Sequence, residues 1–412
     1  MTEKIEFKGY WFLPQDPDNK IAGLLTFTPY DSIILELFGK FKNIPILQMV
    51  NSIWGVTNNN KKVTLLNCTF ISCTINTNGA FPISKYDIQI CLDGIQLNNS
   101  DQKEFNRSVI SFRELTPWCP PIIAEMENDD ISSDQNHISS VTINYNTTIN
   151  LKYSRVPSHN FDFNFKSITV ISTILEIKKS EESSINDFLK DSYLFQSFLS
   201  LASLSTVSIL EFNLFSKTEI KHIANGNTIF TPIKLYYILD NEDITEKKRY
   251  DFLFEYKDIK ELFPIILPKW YDERNNIAPI REHLILSVQK KRYFRSADFL
   301  IVIQAIEGFW WRFRDENYKK GKCISKRQRT PLTTIINELI NEFNSIKKID
   351  DLNFIIETIV DSRNYYSHFV NESSKPDMVD GIDLIILTKK LRILLVCCIL
   401  NFIGIDNEKI NE

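Results

Sequence analysis

The sequence predicts an α+β protein with a β-rich N-terminal domain, a mixed middle segment and a C-terminal all-α bundle. Apolar residues alternate with polar ones up to about Ile177, which is the period of strands. Beyond Ser180 they recur at steps of three and four, which is the period of helices. Prolines at 264, 268 and 279 then mark a boundary before the last helices. We therefore divide the chain into residues 1–180, 181–285 and 286–412.

The N-terminal domain is predicted from short bursts of alternating apolar residues. Val141, Ile143 and Tyr145 alternate with polar residues, and the alternation resumes at Ile149 after a polar turn. Each such strand buries one face, so we expect either a sandwich or one strongly curved sheet. Similar bursts predict strands at Leu24–Phe27, Ile33–Leu37, Val63–Phe70, Ile88–Leu92 and Ile168–Ile177.

The middle segment and the bundle are predicted from helical spacing and from capping residues. Ser183 and Ser184 can cap a helix from Ile185 to Ala202, and strand-like pieces follow at Thr228–Tyr237. Four helices are expected in the bundle. The first buries Phe294, Ala297, Ile301, Ala305, Gly308 and Trp311. The second buries residues from Ile336 to Ile346, the third starts at Asp350 or Asp351, and the fourth runs from about Met378 to Phe402 and ends at Gly404.

The composition excludes several classes of protein. Apolar residues make up 43% and charged residues 24%, which are ordinary globular values, and a net charge of −4 gives no general footprint for nucleic acid. The longest apolar run, Ile393–Leu400, is too short to span a bilayer, and Met1–Lys8 does not resemble a secretory signal. Seven cysteines without paired spacing indicate reduced thiols. We expect a soluble cytoplasmic protein with no membrane contact.

One local stretch is nevertheless strongly basic. Twelve lysines and arginines lie between Leu286 and Thr330, against four acids. Six of them crowd a polar segment that shows no helical apolar period, and they can line a path for RNA phosphates. The alternative is a solvated loop between two helices. The six candidate RNA-binding residues are Lys319, Lys320, Lys322, Lys326, Arg327 and Arg329.

The most informative feature is an arginine five positions before a histidine, at Arg363 and His368. Histidine titrates near neutrality and can exchange protons with a ribose 2′-hydroxyl. Arginine stays charged and binds two phosphate oxygens with its planar fork. Asn364 adds a polar group directly after the arginine. These residue types suit the cleavage of RNA without a metal ion.

The motif and the N-terminal region together resemble a known family. An arginine, an adjacent polar residue and a histidine after four intervening positions, on the penultimate helix of a bundle, resemble the signature of HEPN ribonucleases. The N-terminal region is similar to the opening of ApeA-type anti-phage proteins. That second similarity rests on Gly9, Tyr10, Trp11, Phe12, Leu13 and Pro14, on Gly23, Leu24 and Leu25, on Ile53, Trp54 and Gly55, and on Val63, Thr64 and Leu65.

The resemblance implies a reaction and a set of partners. His368 is expected to act as general base or acid, Arg363 to stabilise charge on the phosphate, and Asn364 to orient the phosphate or the imidazole. The products would be a 2′,3′-cyclic phosphate and a 5′-hydroxyl, and no metal and no cofactor is expected. The expected partners are an RNA substrate, a second copy of the chain bound through the HEPN domain, and a phage component as trigger.

The spacing of the motif adds a geometric expectation. On an ideal helix, positions five apart point about 140° away from each other, so Arg363 and His368 should not share a face of one protomer. We therefore expect two copies of the motif to meet at a dimer axis. Glu307 can hold Arg363 as a supporting residue, or it is an exposed surface acid. Tyr366 can stack on a base or pack between helices.

Two other functions remain open at this point. A non-catalytic HEPN scaffold would bind RNA or a partner protein, although such a scaffold does not need Arg363, Asn364 and His368 together. A β-sandwich ligand sensor would use its helical half for dimerisation alone.

Overall fold

The computed structural model describes residues 3–41, 49–74, 81–121, 137–161, 167–222, 228–238, 251–272, 276–289, 296–325 and 327–411. The chain forms two compact units. Unit 1 comprises Met1–Gln196 and Val207–Asp251, and unit 2 comprises Ser197–Thr206 and Phe252–Glu412. From Tyr256 onward, the described elements of secondary structure are helices, and all of them belong to unit 2. The three-part division at residues 180 and 285 stays a prediction.

Unit 1 is built mainly from β-strands. Its helices are the short α1 (Leu115–Trp118) and the first part of α2 (Ile185–Ser203). The described strands are β1 (Ile5–Leu13), β2 (Asp16–Thr28), β3 (Ser32–Leu37), β4 (Val50–Thr57), β5 (Lys62–Thr74), β6 (Ile83–Asp93), β7 (Phe105–Phe112), β8 (His137–Thr142), β9 (Thr147–Phe161), β10 (Ser167–Ser183), β11 (Ile209–Ser216), β12 (Ile220–His222), β13 (Thr228–Phe230) and β14 (Ile233–Tyr237).

The first six strands close into an antiparallel barrel. Their order is β3-β2-β1-β4-β5-β6, and β3 pairs again with β6, which closes the ring. Strand β6 pairs with β3 at residues 84–87 and with β14 at residues 90–93. The sheet therefore leaves the barrel at β6 and continues through β14, β11, β7, β10, β9 and β8. Of the two sheet shapes that the sequence allows, the strongly curved sheet is the one observed.

The centre of the barrel is organised around Trp11, which is fully buried. A Cβ atom added at Gly55 would lie 2.5 Å from the indole ring of Trp11, and one added at Gly23 would lie 2.9 Å from it. Both glycines are thus required for the close approach of the ring. The glycine and tryptophan positions that carry the N-terminal similarity therefore act in packing.

The open part of the sheet carries a buried ion cluster at Glu176. The Nζ atom of Lys152 lies 2.7 Å from Glu176 Oε2, and Asn150 donates to the same oxygen at 3.1 Å. Arg107 and Lys178 each lie 3.6 Å from the carboxylate. A buried carboxylate requires such partners, so this cluster ties β7, β9 and β10 together.

Unit 2 is a helical bundle around α6. Helix α6 packs against α5, α8, α10 and α11. Its buried face comprises Phe299, Val302, Ile303, Ile306 and Phe309. The helices are α3 (Tyr256–Ile259), α4 (Phe263–Tyr271), α5 (Ala278–Gln289), α6 (Ser296–Phe313), α7 (Asp315–Gly321), α8 (Leu332–Glu342), α9 (Lys347–Asp350), α10 (Ile356–His368), α11 (Gly381–Ile403) and α12 (Asn407–Asn411), with a 3₁₀ turn at Glu372–Ser374.

Arg314, one of the basic residues in the stretch, has a structural role. Its guanidinium binds Glu342 of α8 with an Nη2–Oε1 distance of 2.8 Å and donates to Asn401 of α11 at 3.1 Å. Arg314 follows α6 directly, so these bonds connect the ends of three helices.

The α+β class and most predicted elements are confirmed. Each of the five additional predicted strands lies within β2, β3, β5, β6 or β10. Ser184 forms a capping box with Asp187 at the start of α2, and Gly404 ends α11 with a left-handed φ of 108°. The predicted helices correspond to α6, α8, α10 and α11. The local signals in the sequence were therefore sufficient for most elements.

Four local predictions were wrong. Strand β8 ends at Thr142, and the side chain of Asn144 accepts from two backbone N–H groups in a turn that leaves Tyr145 exposed. Helix α10 begins at Ile356 because Asn353 adopts a left-handed φ of 47°.

The other two errors concern α6 and α7. Of the stripe predicted for α6, Ala305 is buried, Ala297 is exposed, and Phe294 lies outside the described residues. The observed stripe differs from the predicted one because this helix is apolar on most sides and its period is ambiguous. Residues 315–321 form α7 instead of a loop. The prolines at 264 and 279 lie in the first turns of α4 and α5, where the missing N–H is tolerated.

Candidate active site

The Arg363 and His368 motif occupies the last turns of α10, in unit 2. Helix α10 ends at His368, and the next residue, Phe369, closes it in the left-handed region with φ 53°. The Nη1 atom of Arg363 lies 3.0 Å from Nε2 of His368 in the same protomer. The expectation that Arg363 and His368 do not share a face of one protomer was therefore wrong. The long arginine side chain spans the last turn, and no further helical turn confines the histidine ring.

The direction of this hydrogen bond determines the tautomer of the His368 imidazole. A guanidinium has no acceptor, so Arg363 donates and Nε2 of His368 accepts. The proton of the neutral ring is then on Nδ1, and the lone pair of Nε2 points toward Arg363. This is the form of histidine that can take up a proton.

Two further side chains fix the guanidinium of Arg363. Nη2 donates to both carboxylate oxygens of Glu307, at 3.2 and 3.4 Å, and Nη1 also donates to Asn364 Oδ1 at 3.2 Å. The side chain of Glu307 is 14% exposed and that of Arg363 is 18% exposed. Glu307 is thus a partly buried partner of Arg363 and not the exposed surface acid of the alternative. The structure brings together all four residues that the sequence singled out around the motif.

The motif helix is held by the segment that follows it. The backbone N–H of Val379 donates to Ser362 Oγ at 3.1 Å, and the hydroxyl of Tyr366 donates to the carbonyl of Val379 at 3.1 Å. Lys375 pairs with Asp361 at 3.3 Å. These contacts hold α10 against the segment that follows it, and the Tyr366 ring also packs edge-on against Phe299 of α6, with 6.2 Å between the ring centroids. Tyr366, predicted as an RNA contact or a packing residue, is engaged in helix packing here.

A cavity of about 300 Å³ lies beside the motif. Arg363, Asn364 and Glu307 form part of its wall. Arg329, from the basic stretch, lines the same cavity, so one end of that stretch reaches the motif. The remaining lining residues are Trp311, Thr330, Pro331, Leu332, Thr333 and Val360.

Comparison with protein-family models identifies the architecture. Residues 6–270 match the model of ApeA N-terminal domain 1, which is more than half of the chain, and residues 300–409 match the model of the Apea-like HEPN domain. The chain belongs to the ApeA family. Its architecture is that of a HEPN-type anti-phage effector. No curated protein and no solved structure matches it.

In this ApeA family member, the other basic residues of the stretch differ in their environment. Lys319 is buried, and its Nζ lies 2.7 Å from Asp315 Oδ2, so it is not displayed for RNA. Lys320, Lys322 and Arg327 are exposed. Lys326 lies outside the described residues.

Asp315 anchors one side of the cavity. It accepts from Thr330 Oγ1 at 2.6 Å and from the indole N–H of Trp310 at 3.2 Å, in addition to the ammonium of Lys319. Burial alone would raise the pKa of Asp315, but these hydrogen bonds outweigh it and hold the pKa below its ordinary value. The carboxylate is thus charged at neutral pH and fixes the lining residue Thr330.

The sequence prediction of the site missed Trp311. This residue was assigned to the apolar stripe of α6, yet it is only half-buried and lines the cavity. The signal in the sequence was the doublet of Trp310 and Trp311, of which a single helix face can bury only one. In the part of the chain that the structure describes, no group of three His, Cys, Asp or Glu side chains is placed to bind a metal, and no helix has the length and apolarity needed to cross a membrane.

Proposed function

We propose that this ApeA family member is an endoribonuclease that cleaves RNA without a metal ion, as an effector of anti-phage defence. The hydrogen bond between Arg363 Nη1 and His368 Nε2, at 3.0 Å, is the observation that supports this proposal most directly. HEPN domains are generally ribonucleases. The geometry provides a proton acceptor and a fixed cation within contact distance of each other, as the reaction requires.

The proposed reaction begins when a phosphate replaces the imidazole as the partner of Arg363. This exchange frees the lone pair of His368 Nε2, which takes the proton of the ribose 2′-hydroxyl. The 2′-oxygen attacks phosphorus, and the bond from phosphorus to the 5′-oxygen breaks. The leaving 5′-oxygen takes a proton from water, and the imidazolium of His368 returns its proton to water. The products are a 2′,3′-cyclic phosphate and a 5′-hydroxyl.

Arg363 and its neighbours have separate roles in this scheme. Arg363 stabilises the negative charge on the phosphate, Glu307 holds the guanidinium in place, and Asn364 orients the phosphate. The exposed cations Lys320, Lys322, Arg327 and Arg329 guide the RNA backbone toward the site. Neither Lys319 nor Tyr366 is included in this path, because both side chains are engaged in packing contacts.

We further propose that two copies of the chain pair through their HEPN domains. A second arginine would then contact the same phosphate from the other side. A pairing of this kind would cover apolar side chains of unit 2 that are exposed in the single chain. Phe369, next to His368, is 90% exposed, and Ile355, Ile382 and Ile386 are also exposed. The β-rich unit 1 would restrain the nuclease until a phage component arrives.

The proposal is tested with purified protein, total RNA and EDTA, with phage lysate added as the source of the trigger and a lysate-only reaction as the blank. Cleavage is expected in the wild type and lost in His368→Ala, and the 3′ ends should carry 2′,3′-cyclic phosphates in mass spectra. His137→Ala is the matched control, because His137 is exposed on β8 of unit 1. RNA binding without cleavage would support the scaffold instead, and no RNA contact even with phage lysate would support the ligand sensor.

A further inference from the structure

Trp311 is more exposed than a tryptophan whose only role is core packing. It lies in the last turn of α6, where its neighbour Trp310 is buried and bonded to Asp315. Trp311 is only half-buried and lines the same cavity as Arg363 and Asn364. A large apolar ring is thus presented beside the proposed reaction centre.

Two cations in different environments lie over the indole of Trp311. Lys319 Nζ lies 5.4 Å from the ring centroid, and Arg329 Cζ lies 5.6 Å from it. Lys319 is buried and fixed by Asp315, whereas Arg329 is exposed in the segment between α7 and α8. The guanidinium of Arg329 can therefore leave the ring without disturbing the fold, and the ammonium of Lys319 cannot.

We propose that a nucleobase adjacent to the cleaved linkage stacks on Trp311 in place of Arg329, whose guanidinium then binds the phosphate of the same nucleotide. This inference rests on the proposed ribonuclease function and specifies the substrate as single-stranded RNA with an unpaired base at this position. A base stacks on an aromatic ring more strongly than a cation does at an exposed site, so the exchange is favourable.

The size of the cavity supports an unpaired base. A volume of about 300 Å³ is at the lower end of the range for ligand sites and suits one base rather than a base pair. Sequence-tolerant recognition of single-stranded RNA uses this combination of an aromatic platform and a nearby cation. The site would thus select unpaired segments without requiring a defined sequence.

The first test measures binding of a fluorescein-labelled single-stranded RNA decamer in the His368→Ala background. Adding Trp311→Leu is expected to weaken binding about tenfold, whereas Trp311→Phe retains a ring and should change it about twofold. A duplex of the same sequence should bind weakly to all three proteins. Equal affinities of the leucine and phenylalanine variants would overturn the inference.

A second pair of variants leaves the core untouched. Arg329→Ala and Arg327→Ala remove the same charge from exposed residues two positions apart, but only Arg329 lines the cavity. We expect Arg329→Ala to reduce kcat/KM for the single strand several-fold more than Arg327→Ala. Equal losses would show a general effect of charge and would overturn the assigned role of Arg329.

A third measurement separates this inference from the function on which it rests. RNA strands with one abasic nucleotide at successive positions are cleaved by the wild type and by Trp311→Leu. At one position next to the cleaved linkage, we expect loss of the base to lower kcat/KM of the wild type about tenfold. Loss of the same base should leave kcat/KM of Trp311→Leu unchanged, because that variant has no ring for the base to stack on. Uniform wild-type cleavage of all strands would overturn the base site alone, whereas no cleavage of any strand would overturn the ribonuclease function as well.

Discussion

One carboxylate in each unit, Glu176 in unit 1 and Glu307 in unit 2, forms ion pairs. Comparing the two separates a role in stabilising the fold from a role in the proposed reaction. The Glu176 side chain in unit 1 is 3% exposed and is surrounded by Arg107, Lys152 and Lys178. The Glu307 side chain in unit 2 is 14% exposed and pairs with Arg363, which continues to His368 and to a cavity. A cluster that encloses its carboxylate stabilises the sheet. The pair of unit 2, whose cation contacts an imidazole and also lines a cavity, is the one to which we assign the proposed reaction.

The largest effect is expected for Arg363→Lys. Two nitrogens of Arg363 contact three different side chains, and a lysine offers one nitrogen. We expect the RNA cleavage rate to fall about 100-fold, as when one preorganised donor to the transition state is lost. Initial rates on a labelled RNA would measure it. Arg327→Lys, at an exposed position outside the cavity, should cleave normally, and near-normal turnover by Arg363→Lys would contradict the role given to Arg363.

The ion cluster of unit 1 is tested by Glu176→Gln. It leaves three cations around a neutral amide, so the free energy of unfolding should fall by about 1–3 kcal/mol. Urea unfolding followed by circular dichroism would measure this loss. The cleavage rate of the folded fraction should not change. A drop in catalytic rate with unchanged stability would remove the distinction between the two carboxylates.

A pair of glycines extends the comparison to packing. Gly55→Ala places a methyl group 2.5 Å from the ring of Trp11, and we expect a loss of about 1–3 kcal/mol in the free energy of unfolding. Gly308→Ala, on α6, meets its nearest atom at 3.6 Å, and helix propensity should stabilise it by up to about 1 kcal/mol. Thermal melts should show a lower melting temperature for Gly55→Ala and a higher one for Gly308→Ala. Equal destabilisation would contradict the tight contact at Trp11.

The smallest effect on catalysis is expected for Glu307→Gln. An amide still accepts from Arg363, but the bond loses its charge assistance, so kcat should fall about tenfold with little change in KM. Glu357→Gln, at an exposed position on the motif helix, is the control. If Glu307→Gln raised KM and left kcat unchanged, Glu307 would bind substrate and would not position Arg363.

Much of the fold could be predicted from the sequence, because the relevant signals are local. Strand alternation, the capping serine Ser184 and the closing Gly404 depend on neighbours within a few positions. The start of α10 and the buried face of α6 could not be predicted in the same way. The first depends on the backbone angle of Asn353, and the second on which side of an almost wholly apolar helix meets its neighbours.

The sequence by itself determined the residue types of the site, since Arg363, Asn364 and His368 follow one another within two turns of a helix. Tertiary structure decided the rest. Only packing placed Glu307 of α6 against Arg363 and brought Arg329 and Trp311 to the same cavity as the motif. The physical reason is that chemical type belongs to single residues, whereas distance and burial depend on segments far apart in the chain.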